Sequence, residues 1–580
     1  MTRPDRPLPA LLRDRETLAA ILLVTAIVLH VAYYFPRTVD DAFISLRYAE
    51  NLARGRGAVF NPGERVEGCS SPLWMGVQAL GFVLGVEPLT FTKLVGVGFL
   101  IAAAFGVRAV ARELFGVEGW PAWIGAFACA ANPYLVGWTV LGLETPAHVA
   151  LIVLTPLAID RALRAEGAGR RRAEIAAAVA LVALGSVRPE SPLYVLIVVL
   201  APFAVVRARS EAVTLARRAL RFLVPAGVVL GGLLALRIGY YGALFPNTYK
   251  VKGAHAAFEL VKLAPLYKQG SSTLETLVFT GGSLLTLYYA YRRWRDARRP
   301  TAAPALALVA CVYFTASVAV DWMPSLRHLL PVTVLAPLGW SCFADELRAS
   351  GKERLAVVAG SVLTIAASQL ASIDVRLSPI EYRGRWVVRK SREKWADTVR
   401  AYRRVEPPHV TRMDAYDMGQ VTQAWAVLET SETPVEDGWF AGRDIGIVGY
   451  GTGVRIFDTA GLVTRAVSDA EAWAVRGEVT DALVAKMMAT RPLAGEIYDG
   501  WDTALGRNRH LLAGYRVRSG PADAPNAFIA TDRRAPSHDE VVRRYRAFAD
   551  KLPRSYHLHT LYGEAVGAAV LRRLRTVEAR

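Results

Sequence analysis

Between residues 17 and 372 the chain repeats one pattern: apolar runs of about 17 to 22 residues separated by short polar breaks, most of them basic. A soluble chain of this length would instead show amphipathic segments, each with one polar face. The pattern predicts a polytopic α-helical membrane protein. The first run, 17–35, follows Arg3, Arg6, Arg13 and Arg15, and no small-residue cleavage site comes after it. It therefore reads as a retained helix with a cytoplasmic start. Basic clusters at 161–172, 207–221, 292–299 and 348–354 mark further cytoplasmic loops. Helices are expected between them at about 173–187, 190–206, 219–237, 272–291, 302–320, 325–344 and 354–372.

The first extracytoplasmic loop is expected at 36–71. The stretch from 91 to 160 holds three apolar segments, at about 91–112, 120–141 and 144–160, where the flanking loops demand an even number of crossings. The middle segment is the one expected to be half-length, re-entrant or interfacial, because Pro121, Asn132 and Pro133 interrupt it and Trp120, Trp123, Tyr134 and Trp138 suit a membrane interface. The total is about 11 transmembrane helices. Residues 1–372 form the membrane domain, and 373–580 lie outside the cytoplasm as a soluble mixed α/β domain. That last part has no spanning run, and charged residues and Gly/Pro turns return. Within it, 384–405 reads as a basic amphipathic helix on the lipid surface, 444–450 and 454–458 as strands, and 469–488 and 537–552 as helices. No internal repeat is visible.

Charge and cysteines narrow the function classes. The 580 residues carry 69 Lys+Arg against 51 Asp+Glu, a formal charge of +18, yet only 21% are charged and 53% are hydrophobic. In a membrane protein, cytoplasmic-loop Arg and Lys account for much of that excess, so nucleic acid is not an expected partner, whereas membrane lipids are. Cys69, Cys129, Cys311 and Cys342 lie far apart with no metal-ligand spacing, which indicates neither a zinc site nor a disulfide framework.

The topology puts every unusual polar cluster on the extracytoplasmic side, at helix ends where loops can converge. Asp40-Asp41 opens a helix-like run to Arg54 that includes Arg47 and Tyr48; Trp74 follows the loop. Further along come Gly142-Leu143-Glu144-Thr145, Arg188-Pro189-Glu190, Asn247 with Lys250 and Lys252, and Asp321 with Arg327 and His328. For the aspartate pair, a helix cap with favourable first-turn charge, about 1 kcal/mol, is one reading. The other is a partly desolvated carboxylate serving as general base or as ligand to a divalent cation. Arg188 and Glu190 read as a helix-end ion pair or as substrate contacts. Lys250, Lys252, His255, Arg327 and His328 can neutralise a phosphate or contact lipid headgroups. Gly449-Tyr450-Gly451-Thr452-Gly453 reads as a turn between strands and not as a nucleotide loop.

The run DDAFISLRYAENLARGRGAVFNPGERVEGCSSPLW, 40–74, resembles the signature of GT-C-type membrane glycosyltransferases, most closely the group around the mycobacterial terminal β-arabinofuranosyltransferase. GLETP at 142–146, RPE at 188–190, YYGALFPNTYKVK at 240–252, DWMPSLRHLLP at 321–331 and IGIVGYGTGVRIFDTAGL at 445–462 fit the same group in order. One departure is Cys69-Ser70-Ser71, where the group has an aromatic residue and a polar pair. The resemblance implies a GT-C-type transmembrane catalytic domain over 1–372. It also implies transfer of a sugar from a polyprenyl-phosphate donor to an extracytoplasmic glycan or cell-envelope acceptor, with a first-loop aspartate as catalytic residue.

Physical chemistry leads to the same class. Outside the cytoplasmic membrane no nucleotide sugar is at hand, so an activated donor has to arrive on a lipid. Asp41 is then the preferred general base, since it begins the apolar-faced helix, with Asp40 orienting the acceptor or holding a cation. Lys252 leads the phosphate contacts, followed by Arg327, His328 and Lys250. Glu144, Arg188, Glu190, Asn247, Asp321, Arg47, Tyr48 and Trp74 are the expected substrate contacts. Two other classes stay open: a lipid or polysaccharide transporter or flippase, which would carry its ionisable groups at mid-membrane on broken helices, and a non-catalytic glycan-binding membrane scaffold.

Overall fold

A computed structural model of the protein describes residues 14–35, 38–203, 206, 209–253, 273–297, 308, 312, 330–367, 423–430, 434–470, 478–498, 500–519, 525–551 and 576. Local chemistry sets where the first helices begin. Asp14 accepts from the Glu16 and Thr17 amides ahead of α1 (Arg15–Tyr34). Next comes α2 (Asp40–Ala53), which starts after Val39 with no side-chain cap of its own. Ser71 accepts from Trp74 ahead of α3 (Pro72–Val83), and Glu87 from Leu89 and Thr90 ahead of α4 (Pro88–Glu113). Pro72 and Pro88 take first-turn positions, where the missing N–H costs no bond. Asn132-Pro133 divides α5 (Ile124–Ala131) from α6 (Pro133–Val140), and Asn132 caps α6 through the Tyr134 and Leu135 amides.

The layer continues with α7 (Thr145–Arg164), α8 (Arg170–Val187), α9 (Ser191–Leu200), α10 (Arg209–Tyr241), α11 (Asn247–Gly253), α12 (Thr273–Ala297), α13 (Leu330–Ala349) and α14 (Glu353–Ala367). Among the described residues, α1, α4, α7 and α10 are long and apolar enough to cross a membrane. The last of these leaves Val224, Val228 and Leu236 exposed, an apolar surface that suits lipid and not water.

Contacts at the two ends of the layer correct the reading of 91–160. At one end Glu16 of α1 pairs with Arg108 of α4, Trp123 donates to Glu16 at 3.2 Å, and Arg161 at the end of α7 bonds Glu113 at 2.9 Å. At the other end Lys93 Nζ donates to the Phe35 carbonyl at 2.8 Å, and the Gly142 carbonyl accepts from Trp74 Nε1 at 3.0 Å. The middle segment, expected at an interface, therefore runs from one end of the layer to the other. Asn132 makes the break tolerable by capping α6 and by donating to Thr333 Oγ1 at 2.9 Å. The 12 residues of α3 reach only about 18 Å, short of a roughly 30 Å hydrocarbon core, so α3 stays at the Gly142 end of the layer.

Residues 439–530 contain a five-stranded sheet, β1 (Trp439–Gly442), β2 (Arg455–Asp458), β3 (Ala494–Glu496), β4 (Tyr515–Ser519) and β5 (Pro525–Ala530), in the order β2-β1-β3-β5-β4. β1 pairs parallel with β2 and β3, while β3–β5 and β5–β4 are antiparallel. A parallel neighbour needs a crossover, supplied between β1 and β2 by α15 (Gly446–Thr452). Residues 444–450, expected as a strand, thus include most of a short helix that ends at Gly453, whose φ of 81° lies in the left-handed region open to glycine. Further helices are α16 (Arg465–Ser468), α17 (Asp481–Ala489), α18 (Trp501–Arg507) and α19 (His538–Lys551). The strand at 455–458 and the helix at 538–551 match the sequence expectation; of the expected helix 469–488, residues 481–488 are helical in α17 and 471–477 lie outside the described residues. The surface helix expected at 384–405, most of 302–320 and the boundary at 372 lie outside the described residues.

Candidate active site

The aspartate pair sits where α2 meets α15. Asp40 is buried, and its two carboxylate oxygens accept the Gly446 amide at 2.8 Å and the Ile447 amide at 2.7 Å. It does cap a helix, though not its own. Burial pushes the Asp40 carboxyl up to about 7, against the pull of those two amides and with added repulsion from Asp41 and Asp444. Asp41 is half-buried in the first turn of α2. Among the described residues no three His, Cys, Asp or Glu side chains converge to hold a metal ion, and both Asp40 oxygens are already engaged.

Beside α2 lies the 142–145 loop. A Cβ on Gly142, whose φ is 88°, would stand 3.0 Å from the Ala42 Cβ and 2.8 Å from Leu89, so this close approach requires glycine. Glu144 then bonds Arg188 at 2.6 Å, and Arg188 also bonds Glu190. The two clusters read from sequence as separate helix ends thus form one partly buried ion triad that includes the loop beside α2.

Several expected substrate contacts have other partners. The donors of the buried Arg47 go to the carbonyls of Phe60 (3.0 Å), Gly449, Gly453 (2.9 Å) and Val454 (3.3 Å). The Tyr48 hydroxyl donates to the Val66 carbonyl and accepts the Gly68 amide, both at 2.7 Å. Trp74 Nε1 bonds the Gly142 carbonyl. Asn247 Nδ2 donates to the carbonyls of Gly461 at 2.6 Å and Leu462 at 3.0 Å. These four side chains join the first loop and α11 to neighbouring backbone, with Arg47 and Asn247 reaching the 445–462 segment. Lys250, half-exposed, pairs with Asp469 at 2.8 Å. Lys252 belongs to α11, while Asp321, Arg327, His328 and His255 lie outside the described residues.

Glu67 belongs to the polar run 61–68 of the first loop, one of the outer polar clusters of the sequence, but has no expected site role. Its Oε1 bonds Arg237 of α10 at 3.0 Å, its backbone carbonyl accepts the Asn247 amide at 2.9 Å, and its Oε2 is buried with no hydrogen-bond partner among the described residues. Nothing in the run 61–68 signals this, because the burial comes from α10, about 170 residues away in sequence. Burial pushes the Glu67 carboxyl from 4.5 up to about 7, with Arg237 opposing. A folded-state pKa above the unfolded one means a stabilising contribution that is full below about pH 4.5 and lost as pH rises through about 7. Glu67→Gln should remove that loss, so its thermal stability relative to wild type should improve between pH 4.5 and 7.5 by on the order of 1–3 kcal/mol. An offset that stays constant across that range would mean the carboxyl does not titrate there.

No family model matches the chain. A terminal β-(1→2)-arabinofuranosyltransferase of Mycobacterium tuberculosis is 30% identical over 227 residues, which are 37% of this chain and 35% of that protein. The matched stretch thus spans about a third of the relative's length. Among solved structures, ArnT from Cupriavidus metallidurans in the apo state superposes with a TM-score of 0.53 at 16% identity, covering 89% of this chain and 98% of ArnT. Its undecaprenyl-phosphate-bound form gives 0.50 at 14% identity, covering 89% and 98%. The chain therefore has the fold of ArnT, the GT-C glycosyltransferase fold, and over part of its length it is a relative of a mycobacterial terminal arabinofuranosyltransferase.

Proposed function

We propose that the protein is an integral-membrane glycosyltransferase that moves a sugar, best matched by arabinofuranose, from a polyprenyl-phosphate donor to an extracytoplasmic glycan or cell-envelope acceptor. The observation that carries this reading is the packing of α2, which opens with Asp40-Asp41, against the 142–145 loop at Ala42 and Gly142, with Glu144 of that loop held by Arg188, in a fold that matches ArnT over 89% of this chain. The ArnT form bound to undecaprenyl phosphate supports a lipid-linked donor, and the partial arabinofuranosyltransferase match supports the sugar. The N-terminus is assigned to the cytoplasm and residues 373–580 to the outside, on the basic loops already described.

In the proposed reaction the Asp41 carboxylate takes the proton of the acceptor hydroxyl. The acceptor oxygen bonds the anomeric carbon, the carbon–oxygen bond to phosphate breaks, and the polyprenyl phosphate departs with its charge neutralised by cationic side chains. Lys252, on α11 beside the Asn247 anchor, is the first of these, with Arg327 and His328 next; Lys250 ranks last because Asp469 already pairs with it. Lys252→Ala should weaken donor use by about 10- to 1,000-fold, that is about 1.4–4 kcal/mol, in steady-state kinetics. Unchanged kinetics would remove Lys252 from the site. The test of the function is to incubate purified protein with a panel of polyprenyl-phosphate sugars and a glycan acceptor, following products by mass spectrometry. Consumption of a pentose donor with glycan extension is expected. Folded protein that consumes none of the panel would refute the reading.

A further inference from the structure

Asp40 and the sheet unit raise a question that the transfer chemistry leaves open: what a buried carboxylate next to the base does when both its oxygens serve backbone amides. An isolated helix as short as α15 would not hold its shape in water, so its geometry comes from what it packs against. Its N-terminal amides are met by Asp40 of α2, and a Cβ on Gly446 would collide with the Asp40 carbonyl oxygen, so the two backbones touch there as only glycine allows. About two turns further along α2, on the same face, Arg47 bonds the carbonyls of Gly449, Gly453 and Val454 at the other end of α15. Two anchors separated along one helix fix its rotation as well as its tilt. Because Asp41 follows Asp40 at a turn of about 100°, holding Asp40 sets the direction in which Asp41 leaves the helix.

We propose that Asp40 is a positioning residue: its carboxylate seats the β1–α15–β2 unit on α2 and so fixes the orientation of Asp41, which makes that unit a working part of the transfer site. The proposal rests on the transferase reading given above. It distinguishes Asp40 from an acceptor contact or cation ligand, because the carboxylate acts through backbone it holds and not on substrate.

The test compares full-length wild type, Asp40→Ala, Asp40→Asn and Asp41→Asn in detergent. Hydrogen exchange is followed across 446–452, and kcat and KM are measured with the donor that wild type consumes. Asp40→Ala should speed exchange at Gly446 and Ile447 at least ~10-fold and lower kcat about 10- to 100-fold, with donor KM within about 3-fold of wild type. Asp40→Asn keeps one acceptor oxygen and should fall between the two on both measures. Asp41→Asn should lose turnover with exchange unchanged. Loss of kcat in either Asp40 variant with wild-type protection would overturn the proposal in favour of a chemical role, and loss of protection with wild-type kcat would overturn it outright. If Asp40→Ala does not fold, Asp40→Asn decides. A wild type inactive on every donor would sink the transferase reading, while unaltered protection in the Asp40 variants would sink the docking without any activity measurement.

Discussion

Asp41→Asn is expected to lower kcat by about 100-fold or more, the usual worth of general-base catalysis, with the protein folded and its thermal transition near that of wild type. Asparagine preserves the volume and most of the hydrogen-bonding capacity but cannot accept a proton. The choice of Asp41 over Asp40 rests on the place of Asp41 in the first turn of the apolar-faced helix and on the different burial of the two carboxylates. Asp40 is buried and gives both oxygens to the Gly446 and Ile447 amides, whereas Asp41 is half-buried on the next position of the helix. The measurement is turnover on a verified donor and acceptor. An Asp41→Asn enzyme with near-wild-type kcat would remove the base from the mechanism.

Arg47→Ala should cost about 3–5 kcal/mol of stability. The guanidinium bonds four carbonyls, from Phe60 in the first loop and from Gly449, Gly453 and Val454 around α15, in a place from which bulk water is excluded. Its removal leaves those acceptors without donors and loosens α2 from the sheet unit. Hydrogen bonds from a charged donor contribute about 1.5–3 kcal/mol each but do not add, because the backbone relaxes once the first is lost. Arg47→Lys should recover only part of the loss, since a compact ammonium cannot span carbonyls arranged around a planar fork. Thermal unfolding in detergent checks this, and an unchanged transition in Arg47→Ala would show that the clamp adds little.

The two effects fall on neighbouring turns of α2 and belong to different categories, chemistry and assembly. From the sequence, Asp41 and Arg47 look alike: both are charged residues on an outward helix of an otherwise apolar protein. Only their surroundings separate them. The same holds for Tyr48, Trp74 and Asn247, whose polar atoms turn to backbone carbonyls or amides. It holds in the opposite sense for Glu67, which the polar run 61–68 does not set apart from Glu64 and which is buried against Arg237 of α10.

What the sequence determined by itself was everything set by local length, periodicity and terminal chemistry. Long apolar runs give helices such as α4 and α10, caps such as Asp14 and Ser71 fix their starts, and Asn132-Pro133 breaks the segment between α5 and α6, because each depends on residues a few positions apart. The tertiary structure alone decided which segment runs the depth of the layer, that α3 stays at its Gly142 end, and that the glycine-rich run 446–452 is a helix pressed on α2. It also decided that Asp40 caps that distant helix in place of its own. These outcomes turn on contacts between residues up to about 400 positions apart, where the free energy comes from burial and from matching donors with acceptors across elements. No local pattern of hydrophobic and polar positions encodes such a pairing.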